Sequence, residues 1–239
     1  MKFDIVTIFP KIFDSYINES MIKRARVARP AEASRHPGLK GLGTKKLVDI
    51  KIHDLRKFSR DKHRKVDDRP YGGGPGMVLK VEPIIRAIES FLKPSIFKRR
   101  TKIILFSAAG KQFNAKMAAD WAKNYDRVIM IAGRYEGVDE RIKKLIGNWK
   151  LEIENLSIGP YVLTGGELPA MVVVDAVSRH LPGFLGKQES LEEKRHGVGV
   201  PVYTRPEAFV WKGKKYTVPR VLLSGDHKKI VEWRKKHAG

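Results

Sequence analysis

Two stretches of the chain are apolar almost without interruption, 101–107 (TKIILFS) and 127–132 (RVIMIA). Runs of this length, bounded by polar residues, fit strands covered on both faces, as in a parallel sheet. A third run, 3–9 (FDIVTIF), is rich in β-branched and aromatic residues and stops at Pro10, a residue suited to a first helical turn. Residues 47–55 (LVDIKIHDL) alternate apolar and polar with the period of a strand. Glu82 and Pro83 open a helix whose apolar positions, Ile84, Ile85, Ile88, Phe91 and Leu92, share one face. Helical patterns also follow the two apolar runs, over 112–124 and 137–147. Strands alternating with helices predict an α/β domain with a mostly parallel sheet. No internal repeat is visible.

Residues 157–183 read SIGPYVLTGGELPAMVVVDAVSRHLPG. Two glycine turns run into a helix beginning near Glu167 that is apolar on nearly every face, apart from Asp175 and Arg179. A helix of that kind is buried within its own domain or between two subunits, and the pattern allows either. The periodicity then lapses over 185–199 (LGKQESLEEKRHGVG), which reads as a charged, glycine-bounded linker or mobile loop. Residues 28–46 (ARPAEASRHPGLKGLGTKK) read as a flexible insertion. The remainder, 200–239, is short and basic, with a helix at about 226–236. The expected organisation is therefore a domain over 1–184, a linker over 185–199 and a small domain over 200–239.

With 239 residues and 42% hydrophobic content, the chain can bury a sizeable core. No segment approaches the roughly 18 consecutive apolar residues of a membrane span. The first residues carry Asp4 inside their apolar run and lack a small-residue cleavage site, so no signal peptide is expected. The absence of cysteine excludes disulfides, thiolate zinc sites and thiol nucleophiles, and suits a cytoplasmic protein. The formal net charge is +22. Residues 23–65 hold fifteen Lys/Arg against four Asp/Glu, and residues 211–239 hold nine against two. Two basic blocks point to a polyanion, with nucleic acid the first candidate. The plainer alternative is a solvated basic surface.

Several common site motifs are missing. No GxGxxG follows a strand, and neither a Walker A sequence nor HExxH occurs. His53 and His63 stand ten apart without a third ligand, so no metal site is expected. The glycines gather instead beside strand ends: YGGGPG (71–76), SAAG (107–110), AGRYEG (132–137) and IGPYVLTGG (158–166). Ligands of open α/β sheets bind outside the carboxyl ends of the strands, where glycine lets backbone approach a ligand. Converging loops of this kind suit an adenine and a ribose, although any one of them alone is most simply a turn.

The stretches DDRPYGGGPGMVL (67–79), AGRYEGVDERI (132–142), SIGPYVLTGGELPAM (157–171), DAVSRHLPG (175–183), YTRPE (203–207) and VPRVLLSGDHKKIVEWR (218–234) closely resemble the bacterial tRNA (guanine-37-N1)-methyltransferases of the TrmD type. The resemblance runs from the first strand to the last helix. It implies an α/β fold of the SPOUT superfamily, with a deep trefoil knot in the sheet and a small, truncated helical C-terminal domain that grips the anticodon arm of tRNA. It implies a homodimer whose active sites draw on both subunits, S-adenosyl-L-methionine bound bent in the knot loops, and a magnesium requirement without ordinary fixed ligands. The implied target is N1 of the guanosine just 3′ of the anticodon, when another guanosine precedes it. Carried over, Ile158, Gly159, Pro160, Tyr161, Val162 and Leu163 wrap the cofactor's adenine, and Gly165 and Gly166 let the chain turn tightly at the knot. Gly133, Tyr135 and Glu136 form a second loop. Leu105, Ser107 and Gly110 form a third, in which Ala108 replaces the family's usual proline and loosens the loop. The Arg69–Gly76 loop falls near the cofactor and the dimer interface, and Tyr203 and Arg205 contact RNA or the partner subunit.

Methylation at guanine N1 requires a base for the N1 proton and a cation for the charge that builds on O6. Arg179 matches the family's arginine for O6; an ion pair with Asp175 at i,i+4 is its structural alternative. The base departs from the family pattern. The usual Glu-Asp-Ser places its aspartate on Lys194 and its serine on Arg195, and a charged lysine is a poor base. Glu193 is the nearest carboxylate and is assigned as the base, with Glu192 second; the alternative is a solvated charge run over 189–195. The 28–46 insertion supplies phosphate contacts in place of the shorter C-terminal part. Three functions stay open at this level: the guanosine-37 enzyme, a SPOUT enzyme for another RNA position, and a catalytically silent RNA binder. Glu193→Gln is expected to lower turnover while leaving cofactor affinity alone; equal turnover in single-turnover assays refutes the assignment.

Overall fold

The structure, a computed structural model, describes residues 1–27, 46–92, 100–185, 191 and 199–238. Its contacts divide the chain into two units, Met1–Phe184 and Leu185–Gly239. In chain order the first unit contains β1 (Lys2–Thr7), α1 (Asp14–Ile17), α2 (Ser20–Arg26), β2 (Asp49–Asp54), β3 (Asp67–Asp68), β4 (Val78–Leu79), α3 (Val81–Phe91), β5 (Thr101–Gln112), α4 (Ala115–Asn124), β6 (Arg127–Ile131), α5 (Arg141–Gly147), β7 (Ile153–Ser157) and α6 (Glu167–Arg179). Short 3-10 turns follow β1 at Pro10–Phe13 and β2 at Leu55–Phe58.

Five strands form one sheet in the order β2-β1-β6-β5-β7, and every neighbouring pair is parallel. The most continuous apolar run, RVIMI, is the central strand β6 and is buried at all its positions. Alternate residues of β1, β5 and β6 (Val6, Ile103, Ile129 and Ile131) join Ile84 and Ile88 of α3 and Ile142 and Ile146 of α5 in one core. Their neighbours in sequence point to the other face, by the two-residue period of a strand. On the second layer α6 packs against α4 and β1.

The structure moves some expected boundaries, each for a local reason. Helix α4 starts at Ala115 because the Asn114 side chain caps it, accepting the Met117 N–H at 3.0 Å. Helix α5 starts at Arg141 because Gly137 lies at φ +123° and Val138 still pairs with Leu79. Strand β7 had no clear sequence signal; as an edge strand it is half-buried over Ile153–Asn155 and carries charge. Strand β5 runs on to Gln112 through an irregularity between Phe106 and Lys111. Gly110 sits inside that irregularity, where an added Cβ would come within 2.6 Å of the Asn155 and Leu156 backbone.

Helix α6 is not a wholly internal helix. Ala170, Val173, Val174 and Val177 are buried, but Leu168 is 53% and Val172 44% exposed on the opposite side.

A buried ionic cluster runs across one face of the sheet, from Arg127 at the start of β6 through Asp4 of β1 to His53 of β2. Asp4 of β1 is fully buried. It accepts hydrogen bonds from Arg127 Nε at 2.6 Å and from His53 Nε2 at 2.8 Å. Phe91 stacks on His53 with ring centroids 4.2 Å apart, and the Arg127 guanidinium lies 5.0 Å from the same ring. Burial pushes the Asp4 carboxyl upward, but the His53 and Arg127 hydrogen bonds and the nearby positive charges outweigh it and hold the group below its ordinary 3.8.

In the second unit, β8 (Ala208–Trp211) and β9 (Lys214–Thr217) form an antiparallel hairpin, followed by α7 (Arg220–Leu223) and α8 (His227–Lys236). The helix expected at about 226–236 is α8, and the hairpin ahead of it had not been anticipated. Its two-residue turn, Lys212–Gly213, has φ +48° and +75°, the doubly left-handed geometry that matches strand twist. No residue over 199–238 is buried. Among the described residues no helix is long and apolar enough to cross a membrane.

Arg127→Met strips the buried Asp4 of its guanidinium partner and leaves it to His53 and Lys2, and is expected to cost about 3 kcal/mol in urea unfolding. Because the Asp4 pKa is depressed in the fold, its contribution is present above about pH 4 and is lost as pH falls through the folded value, so Asp4→Asn should flatten the acid limb of the stability profile.

Candidate active site

The site is built at the carboxyl ends of β5, β6 and β7. A cavity of about 280 Å³ opens there, walled by the segments 105–108, 133–138, 155–158 and 161–166. Of the residues singled out from the sequence, Leu105, Ser107, Gly133, Tyr135, Glu136, Ile158, Tyr161, Val162, Leu163, Gly165 and Gly166 all line it. Gly110, Gly159 and Pro160 do not. Gly110 serves the β5–β7 contact instead. At Gly159 an added Cβ would collide with the Tyr161 ring, which folds back over it. Ser157 holds that fold: its hydroxyl donates to the Gly159 carbonyl at 2.8 Å and accepts from the Gly159 N–H at 3.2 Å.

A buried carboxylate sets the loops relative to one another. Glu167, at the start of α6, is 1% exposed. It accepts from the Thr7 hydroxyl at 2.7 Å and from Arg134 Nε at 2.9 Å. Arg134 also donates through Nη1 to the Thr164 carbonyl at 3.2 Å and lies 4.7 Å from the Phe9 ring centroid. The ends of β1, β6 and the 158–166 loop therefore meet on one acid. Neither Glu167 nor Arg134 was picked out from the sequence. The available signal was an acid directly ahead of an apolar helix, which otherwise reads as an ordinary first-turn Glu.

The glycine pair 165–166 was expected to serve a tight turn. Neither residue has a left-handed φ; Gly166 sits at −83°. What excludes a side chain is contact. A Cβ on Gly166 would lie 2.6 Å from the Ala132 Cα, and one on Gly165 would meet the Arg134 side chain and Glu167. Among the described residues of the cavity wall the non-glycine residue with a left-handed φ is Tyr135, at +58°. A bulky residue costs about 1–2 kcal/mol in that region, so its loop is held by its surroundings. The Glu136 N–H donates to the Met77 carbonyl at 3.0 Å, and the Gly137 N–H to the Arg134 carbonyl at 3.0 Å. Gly76, at φ +86°, closes the 71–76 loop directly against the Glu136 side chain.

A second, more open hollow of about 640 Å³ lies on the other side of the 158–163 loop, and Ile158, Tyr161 and Leu163 belong to both walls. Arg179 and Asp175 of α6 line it, together with Tyr16. The Tyr16 hydroxyl donates to Asp175 Oδ2, a contact between residues 159 apart. Burial, and then that hydrogen bond, push the Tyr16 phenol above its usual range. Arg179 is half-buried. Glu193, with Glu192, Lys194 and Arg195, lies outside the described residues, as does the insertion over 28–45. Tyr203 and Arg205 are exposed in the second unit, where the Tyr203 ring lies 6.3 Å from Trp233. Among the described residues no group of three or more His, Asp or Glu could hold a metal ion.

A nucleoside-sized ligand fits this cavity. Four glycines, Gly133, Gly137, Gly165 and Gly166, stand in its lining, and the buried Asn155 Oδ1, on a wall residue, has no hydrogen-bond partner within the protein. An all-parallel sheet with a glycine-rich cavity at its carboxyl edge defines an α/β protein that takes a small ligand there. A profile of the family described as tRNA (Guanine-1)-methyltransferase TrmD matches residues 1–239, and the chain belongs to that family. A tRNA (guanine-N(1)-)-methyltransferase of Dictyoglomus turgidum is 45% identical over 241 residues, covering 100% of this chain and 85% of the relative. Proteins of the same name from Dehalococcoides mccartyi and Moorella thermoacetica are each 43% identical, covering 100% of this chain and 86% and 85% of the relatives.

Gly166→Ala forces a methyl group into backbone that has no flexible end to yield. The expected outcome is a loss of about 1–3 kcal/mol in thermal unfolding and weaker binding of the small ligand, read by calorimetry. Gly137→Ala, with no atom within 4 Å of the new Cβ, carries only the φ strain and serves as the comparison.

Proposed function

We propose that this protein transfers the methyl group of S-adenosyl-L-methionine to N1 of guanosine 37 of tRNA, beside the anticodon. The observation that carries this reading is the family match over residues 1–239, with relatives of the same printed activity at 43–45% identity across the whole chain. The choice of position 37, with a guanosine before it, follows from the run of motifs in the sequence.

The bound donor supplies an electrophilic methyl on a sulfonium. The glycine-walled cavity binds its nucleoside through backbone groups of the 105–108, 133–136 and 158–166 loops. Arg179, in the adjoining hollow, stands at guanine O6 and stabilises the charge that grows there as N1 loses its proton. Glu193 takes that proton. With the donor bound, N1 freed of its proton by Glu193 would accept the methyl group as the methyl–sulfur bond breaks, which would leave a thioether and N1-methylguanine. Magnesium enters as a requirement of the reaction, with no ligand set assigned to it.

The finer architecture belongs to the same proposal. The domain over 1–184 is a knotted SPOUT domain, and the close approach of Gly166 to Ala132 supports a chain passing tightly through its own fold. The working state is a homodimer, supported by the uncovered apolar stripe of Leu168 and Val172 and by Phe9 and Ile12. Linker 185–199 carries the base, and 200–239 binds the anticodon arm, in the cytoplasm. Lys194 keeps a second reading in view, a chain that binds donor and tRNA without reacting.

Transfer of labelled methyl to two tRNA transcripts tests the proposal, one with guanosine at positions 36 and 37 and one with adenosine at 37. Label in the first alone is the expected result. Label in neither, with donor bound, selects the silent reading; label in both rejects the position.

A further inference from the structure

The β8–β9 hairpin presents one aromatic face. Phe209 and Trp211 are two apart on β8 and point the same way, and Tyr216 stands directly opposite Phe209. The three residues are 55%, 58% and 49% exposed. Phe209 and Trp211 lie nearly parallel, at 14° with centroids 6.3 Å apart. Lys214, opposite Trp211, completes the face and places its ammonium 5.5 Å from the Tyr216 centroid. From Ala208 to Thr217 the hairpin carries three lysines and no carboxylate.

Three large rings left half in water require a reason. They do not serve a core, since no residue over 199–238 is buried. The cations around them also disfavour a protein partner, because lysine is depleted at protein–protein contacts. Flat rings spaced along a strand and flanked by lysine suit a chain of planar bases on a polyanionic backbone. A duplex would not use the rings, because its bases are already stacked on one another.

We propose that this face of the β8–β9 hairpin is a stacking platform for unpaired nucleotides of the RNA substrate, with Phe209, Trp211 and Tyr216 meeting bases and Lys214, with Lys212 of the turn, meeting phosphates. The inference rests on the tRNA reading above and adds a contact to loop nucleotides that is independent of the methyl-transfer cavity. At about 3.3 Å per residue the face is roughly 10 Å long, enough for about two stacked bases.

The test measures binding of the full chain to an RNA stem-loop with an unpaired loop, and to a blunt duplex of the same stem. A triple variant, Phe209→Leu, Trp211→Leu and Tyr216→Leu, is expected to bind the stem-loop about tenfold or more weakly and the duplex as before, with the salt dependence unchanged. Lys212→Ala and Lys214→Ala together should weaken both RNAs and lower the salt slope by roughly one to two. Phe209→Tyr with Trp211→Phe keeps aromatic faces and should keep parent affinity; loss in this variant as well would mean the hairpin acts only through its fold, and overturns the platform. So does an equal loss for both RNAs, no loss for either, or dissociation of a dimer by the leucine variant, which would make the face a subunit contact. A parent chain that binds neither RNA overturns the tRNA reading itself. A parent that methylates tRNA while the leucine variant binds the stem-loop normally overturns only the platform.

Discussion

The buried carboxylate of Glu167 joins segments that are far apart in sequence. Thr7 ends the first strand, Arg134 follows the central strand, and Glu167 opens the helix that carries Arg179. Burying a carboxylate is unfavourable unless its oxygens are matched by donors, and here both oxygens are matched. The acid also sits at a helix amino terminus, where the backbone dipole favours negative charge. Because Arg134 reaches on to the Thr164 carbonyl, the same contact fixes the 158–166 loop. Two of the cavity walls, 133–138 and 161–166, are thereby tied to each other and to the end of β1 through this one acid.

Two places on the sheet solve opposite problems. Across one face of β6, β1 and β2, Arg127, Asp4 and His53 fill the space with charge matched to charge and covered by Phe91. At the carboxyl edge glycines leave a hollow instead. A parallel sheet allows the hollow there because all its strands end on the same edge.

Much of the fold was legible because the central strands are apolar runs that only a doubly covered position explains. Helix α6 was legible in type but not in environment: pattern alone does not separate the buried Val173 and Val177 from the exposed Val172. The edge strand β7 was hidden because half its residues are charged or polar, as an edge allows. Most residues assigned to the ligand pocket line the same cavity, because glycine clusters after strands mark where backbone must stay open. The reason for the glycines was less legible. Gly165 and Gly166 look like turn formers, yet they are excluded volumes set by Arg134 and Ala132, which only the folded chain brings near. The hairpin was missed because its turn, Lys-Gly, is less familiar than Asn-Gly, although the flanking alternation of VW and KY was present.

The partition formed by residues 158–163 has a consequence for redesign. Ile158, Tyr161 and Leu163 face both hollows, so trimming any of them to admit a bulkier ligand on one side also breaches the other. The segments 105–108 and 133–138 front the smaller hollow alone. A pocket enlarged for an analogue carrying a transferable tag should be carved there, in the outer walls, so that the thin septum keeps its shape for whatever docks against its far side.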